Sequence, residues 1–187
     1  LKGAPIGELH LASGLVSDLS PLAGMPLERL FVAGEFTDLS PLRGLPLKTL
    51  ELAGTKVADF SPLAELPLRE LFLQYCINAS DVAPLAKIAS LELLTLPPKA
   101  VNFYVLQSHP KLTRIGFEFG GVLTPKTTAA EFWQLYGPDS WLGRLRKSVR
   151  ISALRWNWDG TWHLDLANNP ELTDLSILKD APLSSLS

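Results

Sequence analysis

The chain has 187 residues and a formal net charge of -2, and 47% of its residues are hydrophobic. This apolar content suffices for a folded core, so a wholly disordered chain is excluded. A domain that binds the nucleic-acid backbone is normally basic, and the charge balance therefore argues against nucleic acid as a partner. The single cysteine, Cys76, cannot form an internal disulfide, which excludes a small disulfide-stabilised scaffold. No apolar run approaches the length of about 18 residues that a membrane span needs.

Short motifs return along the first half of the chain at a nearly constant interval. Ser-Pro-Leu occurs at 20–22, 40–42 and 61–63, each time directly after Asp-Leu or Asp-Phe. A proline followed by an apolar residue, and an alternating L-x-L or L-x-V stretch, recur with the same period of about 20 to 23 residues. The alternating stretches lie at 9–11, 30–32, 50–52, 71–73 and 94–96, with a weaker copy at 115–117. Three features that share one period predict a repeat architecture.

Each alternating stretch predicts a half-buried strand. Leu30 and Val32 should point into the stack, whereas Arg29 and Phe31 should point out of it. One such strand buries very little by itself. Strands stacked about 4.8 Å apart form a continuous parallel sheet with a shared core.

The Asp-Leu-Ser-Pro-Leu element predicts the return path between strands. Its serine suits the N-cap of a short helix, and its proline suits the first helical position. Gly24 and Gly44 suit the exit, which leaves room for about one 3₁₀ turn. The aspartate should accept hydrogen bonds from the backbone or from a hydroxyl. Its recurrence in successive units favours this structural role over a catalytic one.

This pattern resembles the leucine-rich repeat family, and the Asp-Leu-Ser-Pro-Leu element is similar to that of internalin-type arrays. The resemblance implies an α/β solenoid with a concave parallel sheet and a convex side of short 3₁₀ turns and loops. The asparagine-ladder position of the family falls here on Gly14, Thr55, Cys76 and Asn169. We therefore expect Cys76 to be a buried structural thiol and not a nucleophile, since the spacing supplies no basic partner.

The repeats become irregular after residue 76 and then restart. Thr127 or Thr128, with Glu131, predicts a capped helix within 124–137 that presents Phe132, Leu135 and Tyr136 on one face. A second short helix is expected at 139–150. Asp159-Gly160 predicts a hairpin with a two-residue turn. The predicted domains are an array of about six repeats at 1–123, a helical cap with a tryptophan-rich hairpin at 124–163, and the start of a second array at 164–187.

The run from 94 to 133, which ends in AAEFW, resembles the end of leucine-rich arrays at the C-terminus of some bacterial serine/threonine kinases. That resemblance implies a repeat scaffold joined to other domains and carries no catalytic residue onto this chain. The chain has no glycine-rich phosphate loop, no H-R-D and no D-F-G. Its histidines lack metal-ligand spacing. We expect neither an enzyme nor a bound cofactor or metal.

Stacking the strands in register predicts a candidate binding surface on the concave face. Phe31 and Phe72 should be exposed there among charged residues, which is typical of a protein-binding surface. The alternative is that the two rings pack on a neighbouring loop or on each other across Glu51. Glu8 and Arg29 should form a surface ion pair. The candidate partner-binding residues are His10, Arg29, Phe31, Glu51, Glu70 and Phe72.

Two further clusters have alternative interpretations. Trp156, Trp158 and Trp162 predict either a lid over the end of the second array or an aromatic platform for a sugar or peptide. The basic run after Trp141 predicts a solvated helix face, with a site for anionic lipid or nucleic acid as the alternative. This run consists of Arg144, Arg146, Lys147 and Arg150.

The leading functional hypothesis is a non-catalytic scaffold that binds a protein partner through its concave sheet. The alternatives are a building unit of a long array or surface assembly, and a regulatory or sensor module of a bacterial signalling kinase. Residues 1–10 and 178–187 share one repeat phase. We therefore expect either a longer parent chain or head-to-tail association between copies.

Overall fold

A six-stranded parallel sheet runs through the first two thirds of the chain. The computed structural model describes residues 5–52, 54–117, 124–148, 153–157, 160–170, 172–179 and 181–186. The strands of this sheet are β1 (Glu8–Val16), β2 (Arg29–Gly34), β3 (Thr49–Glu51), β4 (Glu70–Phe72), β5 (Leu93–Thr95) and β6 (Arg114–Gly116). They lie in chain order, each parallel to the next. The predicted leucine-rich solenoid is confirmed.

Short 3₁₀ helices on the convex side return the chain from one strand to the next. They span Ser20–Leu22, Ser40–Leu42, Ser61–Leu63, Ala83–Lys87 and Phe103–Leu106. The exit glycines Gly24 and Gly44 have φ values of 74° and 73°, a left-handed conformation that glycine adopts without steric cost. Both features agree with the sequence prediction.

The cap of each 3₁₀ helix differs from the prediction. Ser20 is the first helical residue, and its side chain does not cap the helix. Asp18, two residues earlier, accepts the Ser20 backbone N–H at 2.8 Å and the Ser20 hydroxyl at 2.6 Å. These hydrogen bonds hold the pKa of the Asp18 carboxyl below its ordinary value. Asp38 and Asp59 accept the N–H of Ser40 and Ser61 at the same distance of 2.8 Å. The serine prediction was wrong because the residue before each serine occupies the N-cap position, whereas the predicted hydrogen bonding of the aspartate is confirmed.

The core consists of the inward-facing residues of successive repeats. Leu30 and Val32 are buried, whereas Arg29 is exposed and Phe31 is half-buried. Leu50, Leu52, Leu71 and Leu73 are completely buried. The expected alternation is therefore confirmed, and neighbouring repeats share one core.

Cys76 occupies the ladder position inside this core. Its thiol donates to the Leu52 carbonyl at 3.0 Å and lies 3.6 Å from the Thr55 hydroxyl. Burial raises the pKa of the Cys76 thiol to about 11. The thiol is thus protonated at neutral pH, and its hydrogen bond links consecutive repeats. The expectation of a buried structural thiol is confirmed.

Two helices follow the sixth strand. α1 spans Ala129–Tyr136 and α2 spans Trp141–Ser148. Thr128 and Glu131 form a reciprocal capping box at the start of α1, as predicted. Phe132 is buried, but Leu135 is 51% exposed, so the predicted apolar face is narrower than expected. The array packs against only one side of α1, which has eight residues, and this contact leaves Leu135 exposed.

The segment before α1 attaches this cap to the last strand of the array. Arg114 of β6 forms an antiparallel bridge with Thr128. The Arg114 side chain also donates to the carbonyls of Pro125 and Lys126, at 2.8 and 2.6 Å. The bridge satisfies part of the edge of β6, and the side-chain hydrogen bonds hold the segment against it.

A second sheet contains β7 (Ala153–Trp156), β8 (Trp162–Asp165) and β9 (Leu183–Leu186). β7 and β8 form the predicted antiparallel hairpin, and β9 lies parallel to β8. Trp156 pairs with Trp162, so the connection has an odd number of residues and the predicted two-residue turn is wrong. Trp158 and Asp159 lie outside the described residues. A further 3₁₀ helix at Ser176–Leu178 connects β8 to β9, as in the first array.

The hairpin tryptophans close the end of the first array. Trp156 and Trp162 are 3% and 0% exposed, so neither can serve as a surface platform. Phe117 stacks on Trp156 with ring centroids 5.7 Å apart and meets the edge of Trp162 at 4.9 Å. Phe132 and Tyr136 extend the same aromatic cluster. The two tryptophans therefore form a lid, but over the end of the first array and not over the second array as predicted, because Phe117 of the first array packs against both.

The shared core predicts a large difference between two identical substitutions. Leu52→Ala should lower the free energy of unfolding by about 2–5 kcal/mol, because it opens a cavity between repeats. Leu15→Ala removes the same atoms from a side chain that is 86% exposed, and should change stability by at most about 0.5 kcal/mol. Chemical denaturation of both variants measures the difference. Equal losses would contradict the assigned core.

Candidate concave binding surface

The parallel register brings the six candidate residues to one face of the sheet. His10, Phe31, Glu51 and Phe72 are successive partners across β1 to β4. Arg29, Thr49 and Glu70 form the adjacent row. Both rows agree with those predicted from the repeat period. Residues from distant positions in the sequence are therefore placed side by side.

The row of the concave face that contains His10 and Phe72 is open at one end and buried at the other. Glu8, His10 and Arg29 are exposed, whereas Phe31 and Glu51 are half-buried. Phe72 is only 4% exposed, so its expected exposure was wrong. The same row continues through the buried residues Thr95 and Gly116, which shows that this row is buried from β4 onward. We call Glu8, His10, Arg29, Phe31 and Glu51 the open half of the concave face.

Glu8 joins a histidine and an arginine on this open half. Its Oε1 lies 2.8 Å from His10 Nε2, and its Oε2 accepts a hydrogen bond from Arg29 Nε at 2.7 Å. The contacts with His10 and Arg29 lower the pKa of the Glu8 carboxyl. The predicted Glu8–Arg29 ion pair is confirmed, but sequence reasoning did not include Glu8 among the binding residues. The predicted pairing of Glu8 with Arg29 across the strands was the signal that could have identified Glu8 as a binding residue.

The ring of His10 lies against the ring of Phe31. The two centroids are 4.2 Å apart and the planes are inclined by only 19°, which is a stacked arrangement. His10 is thus held by Phe31 on one side and by Glu8 at its nitrogen. The hydrogen-bonding partner of His10 is thus Glu8 of its own strand. The stack presents an aromatic surface on a rigid strand pair.

Glu51 marks the boundary between the open and covered halves. Burial raises the pKa of its carboxyl, with a smaller opposing effect from His10. The buried Gln74 side chain donates to Glu51 Oε1 at 3.1 Å. In the adjacent row, the Thr49 hydroxyl donates to Glu70 at 3.0 Å. Sequence reasoning missed Gln74, because it lies two residues beyond the strand positions that the repeat motif marks.

The described residues contain no group of three or more histidine, cysteine, aspartate or glutamate side chains that could hold a metal ion. Within the same residues, no helix is long and apolar enough to cross a membrane.

The position of Arg146 differs from the solvated helix face that was predicted for the basic run. Its guanidinium lies 5.5 Å from the Phe103 ring centroid and 5.1 Å from that of Tyr104, and it donates to the Val101 carbonyl. Burial lowers the pKa of Arg146 from its ordinary value. A solvated helix face is therefore wrong for this residue, because α2 packs it against the last convex turn of the array. Arg150 lies outside the described residues.

The difference between the two phenylalanines gives a direct test. Phe72→Ala should lower the free energy of unfolding by about 3–5 kcal/mol, because its ring is buried. Phe31→Ala should cost about 1 kcal/mol, mainly from the lost His10 stack. Urea denaturation of the two variants measures both losses of unfolding free energy. Similar losses at both positions would contradict the division of the face into open and covered halves.

Comparison with solved structures supports the repeat assignment, whereas no protein-family model and no curated protein matches the chain. An internalin (InlF) from Listeria monocytogenes superposes with a TM-score of 0.53 and 25% sequence identity. The match covers 58% of this chain, and the chain spans 33% of the length of that internalin. Internalin C2 (InlC2) from the same organism has 27% identity over 59% of this chain and 52% of its own, with a TM-score of 0.49. The repeats of this chain are therefore internalin-like leucine-rich repeats.

Proposed function

We propose that the chain is a non-enzymatic interaction scaffold that binds a protein partner through the open half of the concave face. The observation that carries this proposal is the His10–Phe31 stack, which lies on the open sheet beside the Glu8–Arg29 ion pair. Aromatic side chains and arginine are the residues that most often dominate the binding energy of protein interfaces. The internalin-like fold supports a repeat scaffold of this general kind.

The rigidity of the sheet favours binding. Hydrogen bonds between neighbouring strands fix the backbone of β1 to β3. Glu8 and Phe31 hold the imidazole of His10 in place before any partner arrives. A partner therefore loses little free energy in ordering these groups.

The charges indicate the chemistry of the partner. Glu8, Glu51 and Glu70 contribute three carboxylates to the concave rows, against the guanidinium of Arg29 and the imidazole of His10. A partner that presents basic residues around an apolar side chain would complement this arrangement. Such charge complementarity mainly accelerates association and makes it sensitive to salt.

A second copy of the chain is an alternative partner, in keeping with a building unit of a longer assembly. β1 lies at one edge of the six-stranded sheet, and β9 lies at an edge of the second sheet. Leu186 on β9 is 44% exposed. A further repeat could extend either edge, whether it belongs to the same chain or to another copy.

A capture experiment with matched variants tests the concave site. Glu51→Gln with Phe31→Ala removes one carboxylate and one aromatic ring from the open half. Glu35→Gln with Tyr75→Ala removes one carboxylate and one aromatic ring elsewhere, where Glu35 pairs with Lys56 and Tyr75 is 46% exposed. Each immobilised protein is incubated with a lysate of the source organism, and captured proteins are identified by mass spectrometry. A purified captured protein is then titrated against all three forms at low and high salt.

The proposal predicts that the concave variant loses at least tenfold in affinity while the control variant binds like the wild type. Binding should also weaken as the salt concentration rises. Equal affinity for a folded concave variant, checked by circular dichroism, would contradict the concave site. Capture of the chain itself by all three forms, with association in sedimentation, would favour edge-to-edge assembly instead.

A further inference from the structure

A cavity of about 900 Å³ lies on the convex side, between the last repeats and α2. One wall comes from the turn around Ser80 and from the 3₁₀ helix Phe103–Leu106. The opposite wall comes from the α1–α2 connection and from α2, through Pro138, Gly143 and Lys147. This volume is in the range of small-molecule sites in proteins. The cavity is separate from the open half of the concave face.

All of the charged side chains that are found to line the cavity are positive. Lys99, Arg146 and Lys147 line it, and no aspartate or glutamate is found among its described lining residues. Lys99 and Lys147 are exposed, whereas Arg146 is half-buried. A cavity with three cations and no carboxylate attracts an anion more strongly than an open surface does, because its walls exclude part of the solvent.

Arg146 is incompletely satisfied inside the protein. Its Nη2 donates to the Val101 carbonyl, and its Nε is buried without a hydrogen-bond partner in the part of the chain that the structure describes. The remaining contacts of the guanidinium are with the rings of Phe103 and Tyr104. Aromatic rings attract a cation but do not accept all of its N–H groups. A guanidinium removed from water without a carboxylate retains capacity for an oxygen anion.

The aromatic part of the lining defines the rest of the ligand. Tyr104 is 50% exposed beside the guanidinium, and Tyr136 lines the opposite wall, whereas Phe103 is only 1% exposed. Flat rings of this kind stack on an aromatic or other apolar group. The polar side chains of Asn102 and Gln107 complete the lining. A bare inorganic anion would leave this apolar surface uncovered.

We propose that this cavity binds a small molecule in which a phosphate or carboxylate is joined to an aromatic body. Arg146 and the two lysines hold the anion, and Tyr104 holds the ring. The site is independent of the proposed concave interface, so a protein partner and this ligand could bind at the same time.

Ligand-observed NMR with four simple probes tests the site on the whole chain. Phenyl phosphate and benzoate carry both groups, inorganic phosphate carries only the anion, and benzyl alcohol carries only the ring. We expect saturable binding of phenyl phosphate or benzoate at millimolar concentration, at least fivefold tighter than inorganic phosphate or benzyl alcohol. Which of the two combined probes binds more tightly distinguishes a phosphate from a carboxylate ligand.

Matched lysine variants place the binding in this cavity. Lys99→Gln with Lys147→Gln removes two exposed charges from the lining and should weaken binding of the preferred probe at least fivefold. Lys56→Gln with Lys87→Gln removes two exposed charges elsewhere and should leave it unchanged. Tyr104→Ala should weaken the binding of phenyl phosphate more than the binding of inorganic phosphate. Absence of saturable binding, equal binding of benzyl alcohol, or equal effects of the two lysine pairs would overturn the proposal.

Discussion

The packing of leucines between successive repeats is the interaction on which the rest of this structure depends. β3, β4, β5 and β6 have only three residues each, too few to form a stable strand alone. Leu50, Leu71 and Leu94 are nevertheless completely buried, because each contributes to one core that extends through the stack. Polar contacts then fix the spacing of the repeats. The aspartate caps hold the convex turns, and the Cys76 thiol bonds to the carbonyl of Leu52 in the preceding repeat.

A stack of this kind has exposed ends, and the structure covers one of them with aromatic residues. Phe117, Phe132, Trp156 and Trp162 form a buried cluster over the last repeat. Helix α1, which carries Phe132, leads into the connection and into α2, which line the cavity beside Arg146. On the opposite face, the row that contains His10 and Phe72 is buried from β4 onward and open from β1 to β3. The cavity therefore arises from the closure of the array, whereas the open half of the concave face lies on the strands of the first repeats.

This division also explains what could be predicted from sequence. The repeat period determines which residues share a row, so the His10–Phe31–Glu51–Phe72 alignment followed from spacing alone. The period does not report what covers a row, and the burial of Phe72 was therefore missed. Arg146 was predicted to lie on a solvent-exposed helix face for the same reason. Its packing on Phe103 and Tyr104 joins distant parts of the chain, which the repeat period does not predict. Local signals with a specific geometry, such as the Thr128–Glu131 capping box, were predicted correctly. The hairpin was recognised, but its loop length depends on the pairing of Trp156 with Trp162.

Native-state hydrogen exchange tests the central claim that all repeats share one cooperative core. Among the backbone amides that donate from one repeat to the next are those of Leu52 to Phe72 at 3.0 Å, Leu73 to Thr95 at 3.1 Å, and Leu96 to Gly116 at 2.8 Å. If the core is continuous, these amides should exchange only through global unfolding, with one common free energy of opening that equals the value from denaturation. Rapid exchange of the Leu96 amide, while the Leu52 amide remains protected, would show that the repeats open separately and would contradict the account.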